Sequence, residues 1–115
     1  MTTAQGSNLK QLVTNYFKQK GYTIAENPTI DGYSGTTHTF DLLIQKTQER
    51  RLVWLRDWKR TVGVNMIIKM DNAAEDVNLP KPIMISQQFS GHARAYANRR
   101  GVILLTRTEI IKRSH

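Results

Sequence analysis

Apolar and polar residues along the 115-residue chain follow helical and strand periods in turn. Near the N-terminus, the i, i+3, i+4, i+7, i+8 spacing of an amphipathic helix is formed by Leu9, Leu12, Val13, Tyr16 and Phe17. Ser7 is the predicted N-cap of this helix and Gly21 its predicted C-cap. From Phe40 to Gln45 the pattern changes to the alternation that predicts a strand. The polar stretch from Lys46 to Arg51 predicts a turn, and Leu52 to Trp58 predicts the second strand of a β-hairpin.

The second half of the chain is predicted to alternate between helices and short strands. A helix is expected from Met66 to about Val77, and another through Arg100 that ends at Gly101. Two short apolar runs predict buried strands, Ile83 to Ile85 and Val102 to Leu105. A last short helix is expected from Glu109 to Lys112. The predicted N-caps of the three helices are Asn65, Ser90 and Thr108.

These elements predict an α/β fold in the order α-β-β-β-α-β-α-β-α. Strand–helix–strand alternation implies right-handed crossovers and parallel pairing, whereas the hairpin is antiparallel. The expected architecture is therefore a mixed central β-sheet flanked by helices on both faces. Leu52 to Trp58 is predicted to be its central strand because the run LVWL is so apolar. The segment from Glu26 to Thr37 is predicted as a loop or loose hairpin, and the length predicts a single domain over residues 1–115.

The predicted hairpin carries acids where acids are costly to bury without a partner or a metal. One face of the second strand would present Val53, Leu55, Asp57 and Lys59, and the other Trp54, Arg56 and Trp58. Asp41, on the first strand, and Asp57 would together offer hard oxygen ligands for Mg²⁺. Lys59 could then orient a water molecule or stabilise a charged phosphate, which is the chemistry of phosphodiester hydrolysis. The alternative is a solvated edge-strand pair, since Asp-x-Lys alone is common.

Composition narrows the classes of partner. The formal net charge is +8, with 17 Lys and Arg against 9 Asp and Glu, and this favours a polyanion such as nucleic acid. There are no cysteines, which removes disulfides and thiolate chemistry. Neither a signal peptide nor a membrane-spanning run is visible, so we expect a cytoplasmic protein without membrane association.

The chain resembles the PD-(D/E)xK, restriction-endonuclease-like superfamily, and most closely its Mrr-like and Holliday-junction-resolvase branch. Asp41 and Asp57-Trp58-Lys59 stand where that family has its metal-binding Asp and its (D/E)xK motif, and Phe40 replaces the nominal proline. The later Mrr pattern of strand, Phe-Ser, spaced alanines, Gly and apolar strand is matched by Ile83–Ser86, Phe89-Ser90, Ala93, Tyr96-Ala97 and Gly101–Leu105. With the first helix included, the likeness spans nearly the whole chain.

The resemblance implies a Mg²⁺-dependent DNA endonuclease, with Mn²⁺ as an alternative ion. Asp41 and Asp57 would bind the metal together with the backbone carbonyl of Trp58, and Lys59 would position or activate the attacking water. Candidate phosphate contacts are Arg56, Arg60, Arg94, Arg99 and Arg100. Because a single active site cuts one strand, cleavage of a duplex or junction implies a homodimer.

The chain also departs from the family pattern at its first helix. Many relatives carry a glutamate there, and counting back from Gly21 puts Lys10 near that position. A missing ligand would leave its role to Glu26 or water, or would mark a catalytically weak or inactive DNA-binding module. His38, just before Asp41, is a further candidate base or ligand, although a structural role is more common for a lone histidine.

Overall fold

The computed structural model describes residues 5–57 and 59–113. Its helices are α1 (Gln5–Gln19), α2 (Val64–Asp76), α3 (Gly91–Arg100) and α4 (Arg107–Arg113). Its strands are β1 (Thr23–Glu26), β2 (Thr29–Asp31), β3 (Thr37–Thr39), β4 (Leu42–Lys46), β5 (Glu49–Arg56), β6 (Ile83–Ser86) and β7 (Ile103–Thr106). The predicted order is confirmed, and the loose hairpin expected within Glu26 to Thr37 is the β2–β3 pair. None of the helices among these residues is both long and apolar enough to cross a membrane.

The main sheet is mixed, as predicted, with the strand order β1-β4-β5-β6-β7. β4 pairs antiparallel with β1 and β5, whereas β5, β6 and β7 run parallel. β5 is therefore the central strand, and its carboxyl end lies beside those of β6 and β7. The carboxyl edge of parallel strands is where α/β sheets commonly present functional groups.

The sheet buries apolar side chains on both of its faces. On one face, residues of α1 and α4 pack against the sheet, including Leu9, Val13, Ile44, Ile85 and Ile110. On the other face, the helices α2 and α3 contribute Ile67, Met70, Ala93 and Ala97, which pack around Met84. Burial of these side chains is the main favourable term in folding. The two faces thus follow from the alternation of β6, where Ile85 and Met84 point to opposite sides.

Several predicted helix starts are wrong by one to three residues. α1 already includes Ser7, which therefore cannot be its N-cap, and the N-cap of α2 is Gly63 rather than Asn65. α4 begins at Arg107, before the predicted cap Thr108. Ser90 is confirmed, since its side chain accepts a hydrogen bond from the backbone N–H of Ala93. Helix ends are placed by tertiary packing as much as by local preference, so a capping residue in the sequence does not fix the first turn.

The true cap of α4 is a capping box made by Thr106 and Glu109. Thr106 Oγ1 accepts a hydrogen bond from the Glu109 N–H at 3.1 Å, and the Glu109 carboxylate accepts one from the Thr106 N–H at 2.8 Å. That backbone hydrogen bond, more than the side-chain bond, lowers the pKa of Glu109. The sequence TRTE contains this capping-box pattern, but Thr108, the residue directly before Glu109, was predicted as the N-cap instead.

The strands of the β4–β5 hairpin extend further towards the turn than predicted, and β5 ends earlier than predicted at the other end. Only Thr47 and Gln48 form the turn, because Glu49 to Arg51 continue the ladder opposite β4. Polar residues are accommodated there on the exposed end of the sheet, where the Glu49 carboxylate accepts a hydrogen bond from the Tyr22 hydroxyl. At the other end, β5 stops at Arg56, where its pairing with Ser86 of β6 also stops. The prediction that the strand continues to Trp58 is wrong.

The β2–β3 hairpin is fastened to the end of α2 by Asp76. The Asp76 carboxylate accepts hydrogen bonds from the N–H and the hydroxyl of Ser34, at 2.9 and 2.7 Å. His38 Nε2 lies 2.7 Å from the same carboxylate, and the Tyr33 N–H donates to the Asp76 carbonyl at 3.0 Å. We call these contacts the Asp76 latch. They hold the short β2–β3 hairpin, which forms a two-stranded sheet separate from the main sheet.

The Asp76 latch is expected to make stability depend on pH. Hydrogen bonds from Ser34, then from His38, lower the pKa of Asp76 below its ordinary value. A carboxyl whose pKa is lower in the folded state stabilises the protein above its unfolded pKa, about 3.9, and this is lost as the pH falls through the folded pKa. Between about pH 5 and pH 2, the free energy of unfolding should therefore fall more steeply for the wild type than for Asp76→Asn. Urea titrations across this range would measure it, with Asp31→Asn on the same hairpin as the matched control. Equal slopes for the wild type and Asp76→Asn would contradict the prediction.

Candidate active site

Asp41 is held at the junction of three strands, immediately before β4. Its carbonyl accepts a hydrogen bond from the Asn27 N–H at 2.9 Å, and its N–H donates to the Val53 carbonyl at 3.1 Å. Its carboxylate Oδ2 accepts the Leu55 N–H at 2.7 Å and lies 3.3 Å from Arg56 Nη1. The carboxylate is thus fixed against the backbone of β5 near the end of that strand.

Asp57 follows directly after β5 and is reached from the next two strands. Gln87, just beyond β6, donates from Nε2 to Asp57 Oδ1 at 2.8 Å. Arg107, just beyond β7, places Nη1 3.5 Å from Asp57 Oδ2. The Asp57 side chain is 19% exposed. Each oxygen of this carboxylate therefore has a donor from a neighbouring strand end.

The structure brings the two predicted carboxylates to the same end of β5. Asp41 accepts its shortest bond from Leu55, which stands two residues before Asp57. Lys59 is exposed beyond the strand end, so the predicted continuous strand face from Val53 to Lys59 is interrupted after Leu55. Trp58, whose carbonyl the family resemblance nominates as a ligand, lies outside the described residues.

A divalent metal fits the carboxylate pair in chemical type. Mg²⁺ keeps several waters and is usually bound through one or two carboxylates, so the oxygen donors of Asp41 and Asp57 are of the type that this ion prefers. In residues 5–57 and 59–113, no group of three His, Asp or Glu side chains is close enough to hold a metal. Both carboxylates instead lie beside arginines, Arg56 and Arg107, which supply positive charge at the same place.

The predicted replacement of a first-helix acid has a visible consequence. Lys10 Nζ on α1 lies 3.0 Å from Glu26 Oε1 at the end of β1. Glu26, the substitute ligand considered from the sequence, is thus paired with Lys10. His38 contacts Asp76 rather than Asp41, so its structural role is the one that the geometry favours.

The predicted phosphate-binding arginines differ in their surroundings. Arg60 is exposed, and Arg94 and Arg99 are exposed beside the rings of Phe89 and Tyr96. Arg100 instead donates to the buried carboxylate of Asp71 at 2.9 Å, and the Tyr96 hydroxyl donates to the same oxygen at 2.8 Å. This contact joins α2 to α3, so Arg100 already has a structural partner.

Sequence reasoning missed Gln87 and Arg107. Each is the first residue after a strand of the parallel half of the sheet, as Asp57 is after β5. Parallel neighbours end at the same edge, so the residues that follow β5, β6 and β7 are expected to meet there. The predicted strands end at Ile85 and Leu105, one residue before β6 and β7 end, so the sequence pattern did not single out Gln87 or Arg107.

The sheet order and its flanking helices define the class, a restriction-endonuclease-like α/β fold. The family model of the Mrr catalytic domain, described as restriction endonuclease, matches residues 1–113. The chain therefore belongs to the Mrr-type restriction endonuclease family.

Two solved structures share the fold. A crystal structure of a protein of unknown function, AF1548, superposes with a TM-score of 0.77 at 17% identity, covering 85% of this chain and 57% of that one. A complex of EndoMS with double-stranded DNA gives a TM-score of 0.50 at 9% identity, covering 92% of this chain and 46% of that one. The chain thus spans about half the length of either structure. No curated protein matches the chain.

Proposed function

We propose that the protein is a Mg²⁺-dependent endonuclease that hydrolyses phosphodiester bonds in structured or double-stranded DNA. The observation that carries the proposal is that the Asp41 carboxylate accepts a hydrogen bond from Leu55, two residues before Asp57, in a chain of the Mrr family. The formal charge of +8 supports a polyanionic substrate. EndoMS, which shares the fold, was solved in complex with double-stranded DNA, and this supports DNA as the polyanion.

Asp41 and Asp57 would hold the metal, with the Trp58 carbonyl as the further ligand that the family implies. A bound divalent ion supplies Lewis-acid stabilisation of charge on the phosphoryl group. The chain orients the ligands beforehand, since the Leu55 N–H fixes Asp41 and the Gln87 amide fixes Asp57. Arg56 and Arg107 reduce the repulsion between the two carboxylates until a cation is bound.

Lys59 would act on the water that attacks phosphorus. Its ammonium group is exposed two residues beyond Asp57, where it can donate hydrogen bonds to the water or to a phosphate oxygen. In the reaction, the water oxygen forms a bond to phosphorus, one ester P–O bond breaks, and a proton reaches the leaving oxygen. Arg60, Arg94 and Arg99, which are exposed, would hold flanking phosphates. Because one site cuts one strand, we propose a homodimer for the cleavage of both.

The test is a cleavage assay on linear, nicked, flapped and four-way-junction DNA, with Mg²⁺ or with EDTA. We expect cutting of at least one substrate with Mg²⁺, and none with EDTA. The preferred substrate would show which DNA shape the enzyme acts on. Equal products in Mg²⁺ and in EDTA would contradict the metal requirement.

Gln87 is expected to set the metal affinity of the site through Asp57. Partners that orient a metal ligand typically contribute about 10- to 100-fold to metal affinity or activity. Gln87→Ala should therefore raise the Mg²⁺ concentration needed for half-maximal cleavage by about that factor. The adjacent Gln88→Ala is the matched control, because Gln88 is exposed and contacts Val62 only through its backbone among the described residues. An unchanged Mg²⁺ titration for Gln87→Ala would show that the contact with Asp57 is not used.

A second candidate function is a DNA-binding module with a weak or inactive site. The ion pair between Lys10 and Glu26 favours this function. The resemblance places Lys10 where relatives often have an acidic ligand, and the same lysine pairs with Glu26, the substitute ligand. Lys10→Glu distinguishes the two, since an added acid would restore cleavage to a protein that lacks only this ligand. Binding that is salt-sensitive, without cutting by either protein, would support the module.

A further inference from the structure

A groove beside α2 lies on the sheet face opposite α1 and α4. It has a volume of about 600 Å³ and is open to solvent. We call it the α2 groove. Its lining comes from β3, from the end of β5 and from α2, and comprises Thr37, His38, Thr39, Trp54, Arg56, Met66, Lys69, Asn72, Ala73 and Asp76. Neither Asp57 nor Lys59 lines it, so it is distinct from the carboxylate pair.

The groove is built by the periodicity of α2 and by the Asp76 latch. Met66, Lys69 and Ala73 recur at helical spacing, which places them on one side of the helix. The opposite wall is the β2–β3 hairpin, which Ser34 and His38 hold against Asp76. The hairpin therefore has a function beyond connecting β1 to β4, since it closes the groove.

The lining combines the chemical groups that recognise a nucleotide. Trp54 is partly exposed at the base, and the Arg56 guanidinium carbon lies 4.7 Å from the centre of its ring. Because Arg56 already lies over the Trp54 ring, an unstacked base would bind against the outer face of the guanidinium plane. Asn72 is exposed on the wall and offers both a donor and an acceptor to a base edge. Lys69, also exposed, offers a cation for a phosphate.

Arg56 connects the groove to the candidate active site. The same guanidinium that lies over Trp54 approaches Asp41 Oδ2 at 3.3 Å. A nucleotide in the groove would thus lie within one arginine side chain of the carboxylate pair. We propose that the α2 groove receives a single unpaired nucleotide of the bound DNA, next to the phosphodiester bond that is cut.

This inference rests on the proposed function and specifies its substrate as DNA with an unpaired nucleotide. A base pair within a duplex is stacked on both sides and cannot enter a groove of this size. A phosphate alone would contact Lys69 but would not use the guanidinium plane of Arg56 or the amide of Asn72. The partly apolar base and the polar walls together fit a base with its attached phosphate.

The test compares a fully paired duplex with the same duplex carrying one bulged 2-aminopurine. Binding is measured in EDTA, so that no cleavage is needed. We expect the bulged DNA to bind about tenfold more tightly, the scale of a hydrogen bond from Asn72 to the base edge together with a contact from Lys69, and the fluorescence of the bulged base to change on binding. Asn72→Ala with Lys69→Ala should remove the preference and the fluorescence change. Asn98→Ala with Lys112→Ala is the matched control, because both residues are exposed and outside the groove, and it should keep both signals.

Equal binding of the paired and bulged duplexes would overturn the inference, and so would a preference that survives the loss of Asn72 and Lys69. Competition by free deoxyadenosine monophosphate without a preference for bulged DNA would also overturn it, because the groove would then bind a free nucleotide. The outcome is separate from that of the cleavage assay. A preference for bulged DNA without cleavage would support the α2 groove as a nucleotide site and would contradict the proposed nuclease activity. Cleavage without a preference for bulged DNA would support the nuclease activity and would contradict the proposed role of the groove.

Discussion

Replacing Asp57 by alanine is expected to lower the rate of DNA cleavage by about a thousandfold or more. The proposed metal supplies several kcal/mol of stabilisation to the transition state, and losing about 4 kcal/mol corresponds to about a thousandfold in rate. Asp57 is one of two carboxylates at the end of β5, so the variant would leave Asp41 as the single acidic ligand. Gln87 and Arg107 would lose the carboxylate that they contact and supply no negative charge in its place.

The measurement is the single-turnover cleavage rate at saturating enzyme, over a range of Mg²⁺ concentrations. Glu75→Ala is the matched control, because it removes the same charge from an exposed position on α2, where Glu75 contacts Arg100 at 3.6 Å. It should cleave at the wild-type rate. Circular dichroism of both variants would check the fold. Undiminished cleavage by Asp57→Ala would show that the chemistry occurs elsewhere.

Replacing Gly32 by alanine is expected to destabilise the protein by about 2 kcal/mol, the scale of forcing an extra methyl group into a filled space. A Cβ built at Gly32 would overlap Oδ2 and Cγ of Asp76, so the carboxylate would have to move. Moving it breaks its contacts with Ser34 and His38. The cause is the close approach of the hairpin to α2, and the glycine is required for space.

Thermal unfolding would measure this effect as a fall in Tm of about 8 °C for a domain of this size. Gly91→Ala is the matched control, since a Cβ there meets no atom within 4 Å among the described residues and Gly91 begins α3. It should be neutral or slightly stabilising, because alanine favours helix over glycine. If Gly32→Ala unfolded at the same temperature as the wild type, the Asp76 latch would not contribute to stability.

The fold class could be predicted from the sequence because its signals are local. The stripe of Leu9, Val13 and Phe17 predicted α1, and the Phe17–Tyr22 ring contact after Gly21 follows the predicted helix end. Strand–helix–strand alternation predicted the parallel half of the sheet, and the apolar run in β5 predicted its central place. A strand that is buried on both faces of a sheet needs such an apolar run, independently of the remaining topology.

The candidate site was predicted in part, through Asp41, Asp57 and Lys59. Their roles stay predictions, although the structure places both aspartates at one end of β5. What the pattern missed were the partners of these residues. Gln87 and Arg107 lie 30 and 50 positions from Asp57 along the chain, and nothing local indicates that they meet it.

The sequence by itself determined the order of elements and the mixed sheet. These depend on the period of apolar residues and on capping and turn residues, which act over a few positions. Only the tertiary structure decided where β5 ends, that Lys10 pairs with Glu26, and that Asp76 fastens the hairpin to close the α2 groove. Each of these depends on a contact between residues distant in the chain, since the geometry of a hydrogen bond or ion pair is set by how the elements pack.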